Sequence, residues 1–179
     1  MGYNVVTTTS ANCVFTTASP CTTYVTDHVS TYMGGAARLQ SRLTQSTAAS
    51  AAAGRWVYRY RIDMTQVAGI TYPPSTSRLA IYNFGPVWNY DYNADFNFSD
   101  HVFNSTSGLG TKPVTASYLS GGWTYFDLSN PVYAGSYPGG GESSYFFGIV
   151  SSYPPVIRTM WVYTDTGWVS VTGYAPDYP

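Results

Sequence analysis

The sequence predicts an all-β domain, an antiparallel β-sandwich or jelly roll, and three observations predict it. Apolar and polar residues alternate with period two in several short runs. Gly, Pro, Ser, Asp or Asn bounds each run, which is the punctuation of tight turns between strands. Hydrophobic residues make up 44% and aromatic residues 17% of the 179 residues, enough to bury one core and too much for a disordered chain. A single domain over residues 1–179 is expected.

Residues 1–35 read as an N-terminal segment of that domain. Within it Cys13 and Cys21 bracket CVFTTASPC, with a Ser-Pro turn signal between them. In an oxidising compartment the pair would close a short loop as a disulfide, stabilising by roughly 2–3 kcal/mol. Two free thiols are the alternative, and the spacing fits no familiar zinc motif.

The next stretch, GGAARLQSRLTQSTAASAAAGR, places Leu39 and Leu43 one helical turn apart, is rich in alanine and ends near Gly54. Alanine favours helix and glycine caps its C-terminus. One short helix over 36–53 is therefore expected, with a Ser/Thr-rich low-complexity loop over 36–54 as the alternative.

RWVYRYRIDM follows with clear alternation: Trp56, Tyr58, Tyr60, Ile62 and Met64 share one face, and Val57, Arg59, Arg61 and Asp63 share the other. A half-buried strand is expected, with Arg59 and Arg61 on its solvated side, where they could pair a carboxylate or an acidic glycan. Similar runs recur at SRLAIYNF, GGWTYFDL, SYFFGIVSS, RTMWVYTD and GWVSVTGY. Repeated short strands at turn-marked intervals are the pattern of a sandwich.

Charge excludes several function classes. Charged residues are 9% of the chain, the formal net charge is −1 and Lys112 is the only lysine. Without a Lys/Arg run there is no electrostatic footprint for nucleic acid and no polybasic membrane patch. No stretch approaches the roughly eighteen apolar residues of a membrane span, so no membrane insertion is expected. MGYNVVTTTS lacks the charged and apolar regions of a signal peptide. Either the chain is leaderless, as a viral structural protein would be, or Met1 and Gly2 replace a removed leader. Its charge-poor composition favours the second and an extracellular or cell-surface location.

The stretch WNYDYNADFNF, residues 88–98, alternates Trp88, Tyr90, Tyr92, Phe96 and Phe98 with Asn and Asp. Asn and Asp are depleted in strands, so the ladder needs a reason. Buried aromatic packing is the first. A ligand site is the second: sugar rings stack on Trp88, Tyr90 and Tyr92 while Asp91, Asn93 and Asp95 bond hydroxyls. Calcium is the third, because Asp91, Asn93 and Asp95 have the alternate-oxygen spacing of a calcium loop, although the sixth-position Gly and twelfth-position Glu are missing. Beyond calcium no cofactor is expected.

Catalytic patterns are absent from the sequence. His28 and His101 each directly follow an aspartate, and strand neighbours point to opposite faces, so neither Asp-His pair is an orienting couple. The only glutamate, Glu142, lies in PGGGESS, and nothing marks Asp63 or Asp127 as its partner across a cleft. A non-enzymatic role is expected.

The C-terminal third, SSYFFGIVSSYPPVIRTMWVYTDTGWVSVTGYAP, resembles the closing region of bacterial exported proteins of the PEP-CTERM type, in which an F-F-G-I/V strand precedes a further strand pair and a Pro-rich segment. RWVYRYRIDM is similar to their early aromatic strand. The resemblance implies a secreted or surface-displayed β-sandwich held in extracellular polysaccharide, and it transfers no site residues. The functional expectation is a β-sandwich that binds glycan or matrix. The alternative is a structural subunit that assembles with copies of itself as a filament, surface layer or viral decoration protein.

Overall fold

The computed structural model describes residues 1–8, 22–46, 54–69, 74–93, 95–106 and 109–179. Among them the strands are β1 (Gly2–Tyr3), β2 (Val5–Thr8), β3 (Thr22–Tyr32), β4 (Ala37–Ser46), β5 (Trp56–Asp63) and β6 (Ser75–Tyr82). The rest are β7 (Val102–Ser105), β8 (Ala116–Ser120), β9 (Trp123–Tyr133), β10 (Phe146–Ser151), β11 (Pro155–Thr164) and β12 (Gly167–Pro176). Each of the six runs from RWVYRYRIDM to GWVSVTGY is a strand, whereas WNYDYNADFNF, which also alternates, is not.

Two six-stranded sheets pack face to face as a β-sandwich. Sheet A has the order β1-β8-β9-β6-β11-β12 and sheet B the order β2-β7-β10-β5-β4-β3. Neighbours are antiparallel except β2 and β7, which run parallel. Because β1 pairs with β8 and β2 with β7, the first eight residues enter both sheets.

The core lies between the sheets and is aromatic at its centre. Tyr60 is 6.0 Å from both Phe126 and Phe147, ring centre to ring centre, and those two are 5.4 Å apart. Buried phenols need partners. The Tyr60 hydroxyl donates to the Tyr174 carbonyl at 2.7 Å and the Tyr58 hydroxyl to the Tyr153 carbonyl at 2.8 Å. The glycine of FFGIV has its own reason: a Cβ on Gly148 would collide with the Tyr58 carbonyl oxygen across the β10–β5 ladder.

The expected helix over 36–53 is a strand where it is described. Ala37, Leu39, Ser41 and Leu43 are buried while Arg38, Gln40 and Arg42 face outward, and Leu39 pairs with Ile62 and Leu43 with Tyr58 on β5. A spacing of four residues suits both a helical turn and two strand repeats. The strand wins because β5 offers a long apolar ladder to pair with, and tertiary pairing overrides weak local propensity. Cys13 and Cys21, with the bridge expected between them, lie outside the described residues, as do residues 47–53.

β5 is also more buried than expected. Its second face, far from solvated, is covered along Val57, Arg59 and Arg61. Val57 joins Tyr90, Tyr92, Phe103 and Val150 in a second apolar cluster on the outer side of sheet B.

Candidate functional site

The outer face of sheet A is set by what its strands bury. Phe126 and Leu128 of β9, Leu79 and Ile81 of β6, Met160 and Val162 of β11 and Val171 of β12 all enter the core. By period two, Trp123, Tyr125 and Asp127, then Arg78, Ala80 and Tyr82, then Trp161 and Tyr163, then Trp168 point away from it. Strand register aligns Tyr118, Tyr125, Ala80, Trp161 and Ser170 in one rank across five strands.

Ala80, itself buried at 1% exposure, contributes only a methyl group between two large rings, and a groove opens above it. It has a volume of about 340 Å³ and is lined by Ala80, Trp123, Tyr125, Trp161 and Trp168. Trp161 is 36% and Trp168 42% exposed. Neighbouring rings hold the walls in place: Tyr82 lies 5.1 Å from Trp123, Tyr163 5.0 Å from Trp168, and Tyr118 stacks on Tyr125 at 5.0 Å with 24° between planes.

A second, polar depression of about 460 Å³ lies on the same face, lined in part by Arg78, Asp127, Thr115, Ser129 and Tyr163. Arg78 grips Asp127 through two hydrogen bonds, Nε to Oδ1 and Nη2 to Oδ2, the latter at 2.8 Å. The Asp127 hydrogen bond raises the arginine pKa further above its ordinary value. The guanidinium also lies 5.5 Å from the centre of the Tyr125 ring. Flat apolar walls thus lie beside side chains that can donate and accept hydrogen bonds.

The residues singled out in 88–98 are arranged differently. Tyr90 is 7% and Tyr92 0% exposed, both in the second apolar cluster, and the Tyr92 hydroxyl accepts the Val150 N–H at 2.9 Å. That bond lies beyond Gly148↔Phe103, where the recorded β10–β7 ladder stops. Asp91 accepts the N–H groups of Asp95 and Phe96, and Asp95 accepts that of Asn97 and the Asn93 amide. The Asn/Asp ladder is thus a set of side-chain caps for a turning backbone. Of the expected ligand residues only Trp88 presents a ring to solvent, at 44% exposure, with the Arg55 guanidinium 5.7 Å from its centre. Among the described residues no group of three or more His, Cys, Asp or Glu is placed to hold a metal.

Other titratable groups are engaged structurally. His28 Nε2 bonds Thr172 Oγ1 at 2.9 Å, and His101 stacks on Tyr3 while its Nδ1 accepts the Asn4 N–H. Asp100 is buried, and burial raises its pKa. Arg59 lies beside Arg42 in the ladder, but Asp27 is held by Arg42. Burial first, and then the Arg42 charge, push Arg59 down to about 10, and its Nε has no hydrogen-bond partner among the described residues.

The groove residues were within reach of sequence reasoning. In GGWTYFDL, RTMWVYTD and GWVSVTGY, large apolar residues fall on both sides of the alternation. Once one side is assigned to the core, the other must expose tryptophan. Comparisons with protein-family models, with curated proteins and with solved structures find no match to this chain. Among the described residues no helix is long and apolar enough to cross a membrane.

Proposed function

We propose that this protein is a non-enzymatic β-sandwich of the extracellular space or cell surface that binds a polysaccharide through the groove on the outer face of sheet A. The observation that carries the reading is the rank in which Ala80 leaves a gap between Tyr125 and Trp161. Pyranose rings present C–H faces that stack on such rings, while their hydroxyls need the donors and acceptors supplied nearby. Keeping several large aromatic side chains in water is unfavourable unless something covers them in use. The 9% charge content, the single lysine and the resemblance of the C-terminal third support the setting.

The competing reading is an interface between copies of this chain, since aromatic, charge-poor faces also suit subunit contacts. Incubation with insoluble cellulose or β-mannan, followed by measurement of unbound protein, tests the first reading. The parent should be depleted from solution and a Trp161→Ala/Trp168→Ala variant should not. Equal behaviour of the two would sink it. Light scattering that shows a dimer or larger species, dispersed by the same double substitution, would favour the second.

A further inference from the structure

The charges of sheet A say what kind of glycan fits. Its six strands carry three charged side chains, Arg78, Asp127 and Arg158. Arg158 is tied to Asp177 at 3.2 Å and to the Tyr178 carbonyl at 3.1 Å. Arg78 and Asp127 hold one another. Every charged side chain on these strands is therefore paired, although Arg78 and Asp127 remain 34% and 22% exposed, and the Asp165 carboxylate stands in the turn between β11 and β12, where it accepts the Ser75 N–H.

The two depressions adjoin. Tyr163 lines the polar one and Trp168 the aromatic one, and their rings are 5.0 Å apart. Trp123, Tyr125 and Asp127 are successive outward positions on β9, so the path from the first to the last is about 14 Å. A single monosaccharide does not cover that length. At the polar end Nη1 of Arg78 has no partner among the described residues, and the Asp127 carboxylate keeps acceptor capacity beyond its bonds to Arg78 and the Tyr118 hydroxyl.

We infer that the groove takes a neutral glycan chain laid along β9 from the tryptophan walls to the Arg78–Asp127 pair, and that this pair excludes acidic glycans. The inference rests on the glycan reading of the groove. A neutral diol finds both a donor and an acceptor in the ion pair without breaking it. A uronate meets the Asp127 carboxylate, and to reach Arg78 it must displace a bidentate partner already in place. Exclusion by like charge is a specificity device in its own right.

Affinity electrophoresis of the full chain tests this, with native gels containing galactomannan, mixed-linkage β-glucan or polygalacturonate. The parent should be retarded by at least one neutral polymer and not by polygalacturonate. Asp127→Asn removes the repelling charge and releases Arg78, so polygalacturonate should now retard it with an apparent affinity about tenfold or more above the parent's. Adding Arg78→Gln to Asp127→Asn should abolish that gain. A parent held by polygalacturonate but by neither neutral gel would overturn the inference and leave the glycan reading intact. An Asp127→Asn chain that folds and shows no gain would overturn the role of the ion pair. No retardation of the parent in any gel would overturn both readings. Should Asp127→Asn fail to fold, the parent's preference between neutral and acidic gels decides the matter alone.

Discussion

Tyr125 and Trp161 stand two strands apart on sheet A, aligned by register with Ala80 alone between them. Adjacent strands are about 4.8 Å apart, so the two rings rise roughly 10 Å from one another over a floor made of one methyl group. The smallness of residue 80 is as much part of the groove as the size of its walls.

Filling that floor should close the site. Ala80→Val adds bulk in a residue type that strands favour. Binding to neutral polysaccharide should fall by about tenfold or more, while overpacking costs at most about 1–3 kcal/mol. Depletion assays paired with urea unfolding check both parts.

Tyr92 should behave in the opposite way. Its hydroxyl is the acceptor for the buried Val150 N–H. Tyr92→Phe leaves that group unpaired and should cost about 1–3 kcal/mol, with polysaccharide binding unchanged. A Tyr92→Phe protein of parental stability would show that the loop does not support β10 in this way.

The strand at Ala37–Ser46 makes a periodic expectation. Leu39→Ala and Leu43→Ala should each cost about 2–5 kcal/mol, the range for emptied core positions. Arg38→Ala, at an exposed position between paired strands, should change stability by no more than about 0.5 kcal/mol. Urea midpoints of the three variants decide it.

These elements show how far the sequence could be read. The alternation of RWVYRYRIDM marked a strand and its inward face directly, and that of the three C-terminal runs marked strands without saying which face turns inward. Leu39 and Leu43 did not choose between helix and strand, because four residues fit either period and the alanines nearby weighted the helix. In 88–98 buried aromatic packing, the first reading of the alternation, holds for Tyr90 and Tyr92, but the surface that covers them, Val57, Phe103 and Val150, is shown by no local pattern. The groove needed one further fact. Trp161 and Trp168 share the β11–β12 hairpin, but Trp123 and Ala80 come from strands far from it in sequence, and only sheet order brings them together.

Acid should reveal the Asp27–Arg42 pair. Arg42 donates two hydrogen bonds to Asp27, at 2.6 and 2.7 Å, and holds its pKa below the ordinary carboxylate value. A lowered folded pKa contributes stability that is present above the unfolded value, about 3.9, and is lost as pH falls through the folded one. Asp27→Asn should therefore be less stable than the parent at pH 7 and lose less between about pH 4 and pH 2. Parallel stability curves for the two proteins would remove the pair from the account.

Hydroxyl-radical footprinting read by mass spectrometry tests the central claim most directly, because it reports which face a bound polysaccharide covers. Trp161, Trp168 and Trp88 are all exposed in the free protein, so all three should be oxidised when it is alone. With a bound neutral polysaccharide, oxidation of Trp161 and Trp168 should fall while that of Trp88 stays unchanged. Protection of Trp88 with Trp161 and Trp168 still oxidised would contradict the account and return the site to the 88–98 loop.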